Sequence, residues 1–242
     1  MANLFDYLKW RGDLSLEQTS INDIDSLVLS RLSYLPFDGI VPDTFSSGVT
    51  VAEAAAGLLQ RDDVEDEVIM KMDLPFLKEV ANSRRFSGMD LCGYTNQVDP
   101  NAEKQFAALA IKMTPQSFYI AYRGTDLSLA GWKEDFNMSF CTPVPAQVDA
   151  VRYLNDAARA LPGQFYVGGH SKGGNLAVYA SAFCRPEVQD RLVFVHNHDG
   201  PGFDSCVLES GGYRRIAERI KTFIPQSSVV GMLLQHEEDY YV

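Results

Sequence analysis

Apolar positions recur at two different spacings along the chain, and the spacing changes near Ser83. Before that point the rhythm is helical. Ile21, Ile24, Leu27, Val28 and then Arg31/Leu32 fall at three- and four-residue steps, which gather side chains on one face of an α-helix. Thr50-Val51-Ala52-Glu53 reads as a capping box, in which hydroxyl and carboxylate each satisfy an unpaired N–H at the helix start. It opens an alanine-rich helix running to Leu59, and Asp73 precedes a further short helix from Leu74 to Val80. Residues 1–82 are therefore expected to form a helical layer.

Beyond Ser83 short apolar runs take over. Strands are expected at Asp90–Thr95, Gln105–Met113 and Ser117–Tyr122, the last two joined by a turn at Thr114-Pro115-Gln116. Pro143 and Pro145 punctuate the chain before an amphipathic helix from Ala146 to Leu161. Strand and helix then alternate: 164–168 strand, 171–183 helix, 191–196 strand, 213–219 helix, 221–224 strand. That alternation predicts an α/β fold, with a mostly parallel central sheet covered by helices on both faces. No composition break calls for a second domain. The expectation is one domain over 1–242, with a helical layer at 1–82 and the sheet core at 83–242.

Composition narrows the partners. The 242 residues are 46% hydrophobic and 22% charged, a globular balance. Thirty-two acidic against 21 basic residues give a formal net charge of -11. Nucleic acid is disfavoured, because binding phosphates requires a basic face. Adsorption to anionic lipid is disfavoured for the same reason, so no stable membrane anchor is expected and soluble esters are preferred over bilayer lipids. The first residues, MANLFDYLKWRGDLSL, lack the basic and apolar regions of a signal peptide. No run approaches the roughly 18 apolar residues of a membrane span. Cys92, Cys141, Cys184 and Cys206 are scattered without a CxxC pair. A cytoplasmic protein with free, mostly buried thiols is the expectation.

The chemistry concentrates at Gly169-His170-Ser171-Lys172-Gly173, a G-x-S-x-G pattern. Five such residues match by chance in a chain of this length with a probability on the order of 0.1. The context is more telling, for a strand (Phe165-Tyr166-Val167) runs in and a helix (Asn175 to Ala180) runs out. A serine on that sharp turn projects its hydroxyl from the sheet, and the glycines remove side chains that would clash across it. The helix N-terminus aims N–H groups at a developing oxyanion, so the Lys172 N–H is an expected donor. The Lys172 side chain is expected to point to solvent, or to favour an anionic acyl group. A glycine-rich turn with an unreactive serine is the alternative.

Three stretches together resemble the class 3 (fungal-type) lipases: Ala121-Tyr122-Arg123-Gly124-Thr125-Asp126, Trp132-Lys133-Glu134-Asp135-Phe136 and Gly169-His170-Ser171-Lys172-Gly173-Gly174. The chain as a whole is still more similar to a bacterial family of lipase-like domains with no assigned function. The segments that carry this are Asp6 to Trp10, Asp25 to Leu35, Asn197 to Phe203 and Ile224 to Gly231. The resemblance implies an α/β-hydrolase fold. It also implies that Thr125, following Arg123-Gly124, supplies a second oxyanion donor. Arg123 itself fits a structural role, and Trp132 and Asp135 fit a loop or lid near the pocket mouth.

A serine needs a base to take its proton. In α/β-hydrolases the chain order is Ser, acid, His. His170 precedes the serine and drops out. His196 and His198 would leave Glu187 and Asp190 as the acid, both beside a helix end. His236 leaves Asp199 or Asp204, just past the strand at 192–195, and Asp199 lies nearer the strand end. The expected triad is Ser171, Asp199 and His236, with Thr125 and Lys172 as the oxyanion hole. The lipase pattern places its acid in the stretch matching Ile224 to Val229, which holds none here, and its histidine further on than Val242. The base could thus lie in a further C-terminal segment. His196-Asn197-His198-Asp199 invites a metal reading, but no second cluster follows at a zinc hydrolase's spacing, so neither metal nor cofactor is expected. The expected function is hydrolysis of a small-molecule ester or lipid by a serine esterase or lipase. A hydrolase-fold binding or regulatory protein without turnover is the alternative, and the oligomeric state is left open.

Overall fold

The structure, a computed structural model, describes residues 3–101, 104–125, 143–226, 228, 230–233, 236 and 240–241. Among the described residues, eight strands lie side by side in chain order. They are β1 (Val49–Thr50), β2 (Asp90–Asp99), β3 (Lys104–Thr114), β4 (Ser117–Tyr122), β5 (Gln164–His170), β6 (Leu192–His198), β7 (Ile220–Phe223) and β8 (Tyr240–Tyr241). The α/β expectation holds, but the sheet is mixed: β1 to β4 pair antiparallel, and β4 to β8 pair parallel. The reason is connection length. The tight turn at Pro115-Gln116 can join only antiparallel strands, whereas the step from β4 to β5 carries a whole helix.

The helices are α1 (Leu4–Arg11), α2 (Asp23–Leu32), α3 (Val51–Leu59), α4 (Val64–Glu67), α5 (Asp73–Asn82), α6 (Pro145–Ala160), α7 (Lys172–Phe183), α8 (Pro186–Gln189), α9 (Ser205–Leu208) and α10 (Gly211–Ile216). Strand alternation divides the core in two. Phe106, Ala108, Ala110, Phe118, Ile120 and Tyr122 face α6 and α7 on one side. Leu109, Ile111, Tyr119 and Ala121 face α1, α2, α3 and α5 on the other. In β2 a bulge between Cys92 and Thr95, with Gly93 at φ +61, breaks the alternation and sends Cys92 and Tyr94 to opposite cores.

Local signals account for the helix ends. Thr50 accepts from the Glu53 N–H at 3.1 Å, and Glu53 accepts from the Thr50 N–H at 2.8 Å. The first helices are further tied by a buried ion pair between Asp25 and Arg85. The Tyr7 hydroxyl donates to Asp25 at 2.7 Å, and Arg85 also donates to the Leu14 carbonyl at 2.9 Å and the Ser20 carbonyl at 3.0 Å. Burial and the Asp25 carboxylate push the Tyr7 phenol up to about 12.

Of the apolar face that the spacing gives α2, Val28 and Leu32 are buried, but the buried side is turned toward the helix's polar residues. Ile24 is exposed and Leu27 half-buried, while Asp25, Ser26, Val28, Leu29, Ser30 and Leu32 are buried. The small serines let the helix lie close to the sheet, where each has a partner. The Ser30 Oγ lies 2.8 Å from the Tyr119 hydroxyl, which donates to the Ser26 carbonyl at 3.0 Å. Among the described residues no helix is long and apolar enough to cross a membrane.

Candidate active site

Parallel register brings the ends of β4, β5 and β6 to one edge of the sheet, where open α/β sheets build their sites. Tyr122 pairs with Gly169, Gly169 with Asn197, and His170 with His198. The chain leaving each strand there supplies Gly124-Thr125, Ser171 and Asp199 respectively.

Ser171 sits between β5 and α7 at φ 56, ψ -132, a conformation that costs a residue with a Cβ of order 1–3 kcal/mol. The turn is held by the Ser171 N–H donating to the His198 carbonyl at 2.9 Å and the Gly174 N–H donating to the Ser171 carbonyl at 2.8 Å. The flanking glycines are sterically required. A Cβ on Gly169 would lie 2.3 Å from the Gly173 carbonyl, and one on Gly173 would lie 2.2 Å from the Tyr122 carbonyl oxygen. The β4-end turn presses on the serine, for a Cβ on Gly124 would come within 3.2 Å of the Ser171 Cβ. Among the described residues no group hydrogen-bonds the Ser171 hydroxyl. The half-buried Thr125 follows directly on that turn.

Among the described residues Asp199 is the other non-glycine residue with positive φ, at 59. Its N–H donates to the Phe223 carbonyl at 2.8 Å. Its carboxylate accepts from the Ser228 hydroxyl and, at 3.2 Å, from the Gly231 N–H. Gly231 is also where His236 arrives: the carbonyl can only accept, so His236 Nε2 donates to it at 2.9 Å. Asp199 and His236 thus meet on the two sides of one peptide residue. The competing acid, Asp204, is exposed and caps α9 through the Val207 N–H at 3.3 Å. The loop between them is locked onto α7, where Asn175 Nδ2 donates to the Pro201 and Gly202 carbonyls at 3.0 and 3.1 Å.

The Lys172 side chain does not point to solvent. It is 2% exposed, and its Nζ donates to the Gln105 carbonyl and side-chain oxygen, both at 2.8 Å. The side chain is thus held against β3. Arg123 is buried and donates to Asn96 at 2.9 Å, a structural role. Trp132, Asp135 and Cys141 lie outside the described residues. Cys92 and Cys184 are buried free thiols, and Cys206 is an exposed one.

The three histidines beside the elbow are all shifted toward the neutral form by burial: His170, His196, and His198 down to about 3. His196 and His198 share a strand face and stack with ring centroids 5.9 Å apart. His196 Nε2 lies 3.2 Å from Asp23, which also receives Lys221 at 2.9 Å, and these two partners hold the Asp23 carboxyl well below the usual range. Among the described residues no group of three His, Cys, Asp or Glu side chains could hold a metal ion.

A cavity of about 390 Å³ opens beside the elbow, walled by Leu27, His170, His198, Asp199, Phe223, Ile224, Pro225 and Tyr241. A second, of about 460 Å³, shares Leu27 and His170 and continues between Leu4, Phe5, Met70, Met72 and Phe76. The helical layer therefore builds walls of the site. Chain order excludes His170 as the base, and no motif points to Tyr34, whose hydroxyl donates to the His170 carbonyl at 3.1 Å. The one signal for Tyr34 was its position inside the Asp25 to Leu35 stretch on which the family resemblance rested.

A family profile described as Mbeg1-like matches residues 80–242. The fold matches the crystal structure of M37 lipase with a TM-score of 0.50 and 14% sequence identity, over 84% of this chain and 67% of that one. At that identity the likeness is one of fold. No curated protein sequence matches.

Proposed function

The chain belongs to the Mbeg1-like family and has a lipase-like hydrolase fold, and from this premise we propose that it is a serine hydrolase of esterase or lipase type. The observation that carries the reading is the strained Ser171 at a strand-to-helix elbow, with its hydroxyl unengaged among the described residues. Strain of this kind persists where the surrounding structure enforces it, and it clusters at catalytic turns. In this reading Ser171 Oγ attacks the carbonyl of a carboxylic ester while its proton passes to the His236 imidazole. The N–H groups of Thr125 and Lys172 hold the oxyanion, and Asp199 orients and balances the imidazolium. Collapse expels the alcohol with the proton from His236, and water then releases the acid from the acyl-enzyme. The substrate is a small-molecule ester or lipid.

A second reading has a specific observation behind it. His236 Nε2 donates to the Gly231 carbonyl, so the ring can take the serine proton only at Nδ1 or after leaving that partner. If it does not, the protein is a hydrolase-fold binding or regulatory protein without turnover. A fluorophosphonate probe separates the two. Labelling of the wild type, absent in Ser171→Ala, supports the hydrolase; an intact protein that never labels and turns over no p-nitrophenyl ester supports the binding protein.

A further inference from the structure

We infer that Tyr34, just beyond α2 in the helical layer, is a positioning residue for the reaction proposed above, and that it sets the spacing between nucleophile and oxyanion turn. The inference rests on the serine-hydrolase reading and adds to it a residue from outside the sheet. Among the described residues the Tyr34 hydroxyl makes three contacts at the elbow. It donates to the His170 carbonyl at 3.1 Å, receives the Gly124 N–H at 3.2 Å, and lies 3.0 Å from His170 Nδ1. His170 immediately precedes the nucleophile, and Gly124 immediately precedes Thr125. One oxygen thus bridges the two segments whose separation determines whether an oxyanion formed on Ser171 can reach its donors.

The proton inventory makes the bridge directional. The hydroxyl has a single proton, and the His170 carbonyl can only accept it. All three contacts are made together when Nδ1 carries the imidazole proton and donates it to the Tyr34 oxygen. Burial favours the neutral ring, so Nε2 then carries the lone pair, and His170 lines both cavities. Glycine at 124 is part of the same device, since a Cβ there would lie 2.2 Å from the Tyr34 oxygen. The tyrosine ring is held independently of its hydroxyl. It is buried, and the Arg31 guanidinium, paired with Asp73, covers it 4.6 Å from the ring centroid. A phenylalanine at this position therefore keeps the ring in place and removes the bridge.

The test compares wild type, Ser171→Ala and Tyr34→Phe in two measurements. The first is p-nitrophenyl butyrate turnover per fluorophosphonate-titrated site. Misplacing reacting groups by an ångström costs up to 100-fold, so Tyr34→Phe is expected to lower kcat roughly 10- to 100-fold. KM should stay within about twofold, because the lost interaction matters in the transition state. The second measurement is the ¹⁵N–¹H correlation of the His170 ring, expected to show the proton on Nδ1 in wild type and no longer confined there in Tyr34→Phe. A variant that matches an active wild type in titrated kcat, even with a lower Tm, overturns the positioning role. A wild-type ring protonated on Nε2 overturns the bridge whatever the activity. A wild type that neither labels nor turns over overturns the hydrolase reading itself, and the positioning role with it.

Discussion

Ser26 Oγ lies 2.6 Å from His198 Nε2, joining α2 to β6 across 172 residues of chain. The contact is buried and sits behind the wall of the elbow cavity, so the helical layer and the site share a hydrogen bond. Ser26→Ala leaves the His198 Nε2 buried without this partner, which typically costs about 1–3 kcal/mol. Urea denaturation of Ser26→Ala against wild type measures it, and a loss below about 0.5 kcal/mol would show the contact to be energetically idle.

Acid should unfold the protein through its histidines. His198 falls from 6.5 to about 3 in the fold because burial penalises the imidazolium, and His170 and His196 shift the same way. The unfolded chain then binds protons that the folded one refuses. Their contribution is fully present above pH 6.5 and is lost as the pH falls toward 3. Asp23, with its carboxyl lowered by His196 and Lys221, adds a loss of the same sign at still lower pH. Denaturation midpoints across pH 3–8 should decline steadily below about 6.5, and a midpoint flat from 7 to 4 would contradict the burial of these rings.

Ser171→Gly should stabilise the protein while abolishing its labelling. Glycine adopts φ 56 without the Cβ strain that serine bears, a gain of about 1 kcal/mol. Ser171→Ala keeps the Cβ and should not share the gain. Equal midpoints for the two variants would mean that the elbow stores no strain.

Gly169→Ala should act in the opposite direction. Its Cβ would stand 2.3 Å from the Gly173 carbonyl, a backbone clash that no side-chain rotation relieves. Overpacking of this kind costs about 1–3 kcal/mol or more. Both the unfolding midpoint and the labelling rate should fall, and retention of either at the wild-type value would place the elbow differently from its position here.

Removing one side of the Asp25–Arg85 pair should unfold the helical layer. Breaking a buried ion pair strands the other charge at a cost of about 3–5 kcal/mol. Arg85→Met is expected to show that loss in urea denaturation, and the double variant Asp25→Leu/Arg85→Met to recover part of it.

The elements near the site were legible for local reasons. A capping box needs four consecutive residues, and both halves of the Thr50–Glu53 exchange are in place. The elbow needs five, and its glycines are required by contacts with their immediate neighbours and with the adjacent strand end. Steric demands of that range are written in short stretches of sequence. Alternating strands and helices predict a mostly parallel sheet and leave out its antiparallel half, which the tight turn between β3 and β4 implies.

What tertiary structure decided was the fate of polar side chains. Periodicity gives α2 an apolar face through Ile24, yet its buried side holds Asp25, Ser26 and Ser30 beside Val28, Leu29 and Leu32, and each of the three polar side chains has a partner on another segment. Lys172, beside the nucleophile, is buried against Gln105, 67 residues away. Tyr34 reaches His170 across 136 residues and Gly124 across 90. A polar group can be buried only when a partner meets it there, and those partners are far apart in the chain. The sequence by itself determined six of the eight described strands, the longer helices of the core and the serine at the sharp turn. Which polar groups surround that serine was decided by the packing of the helical layer against the sheet.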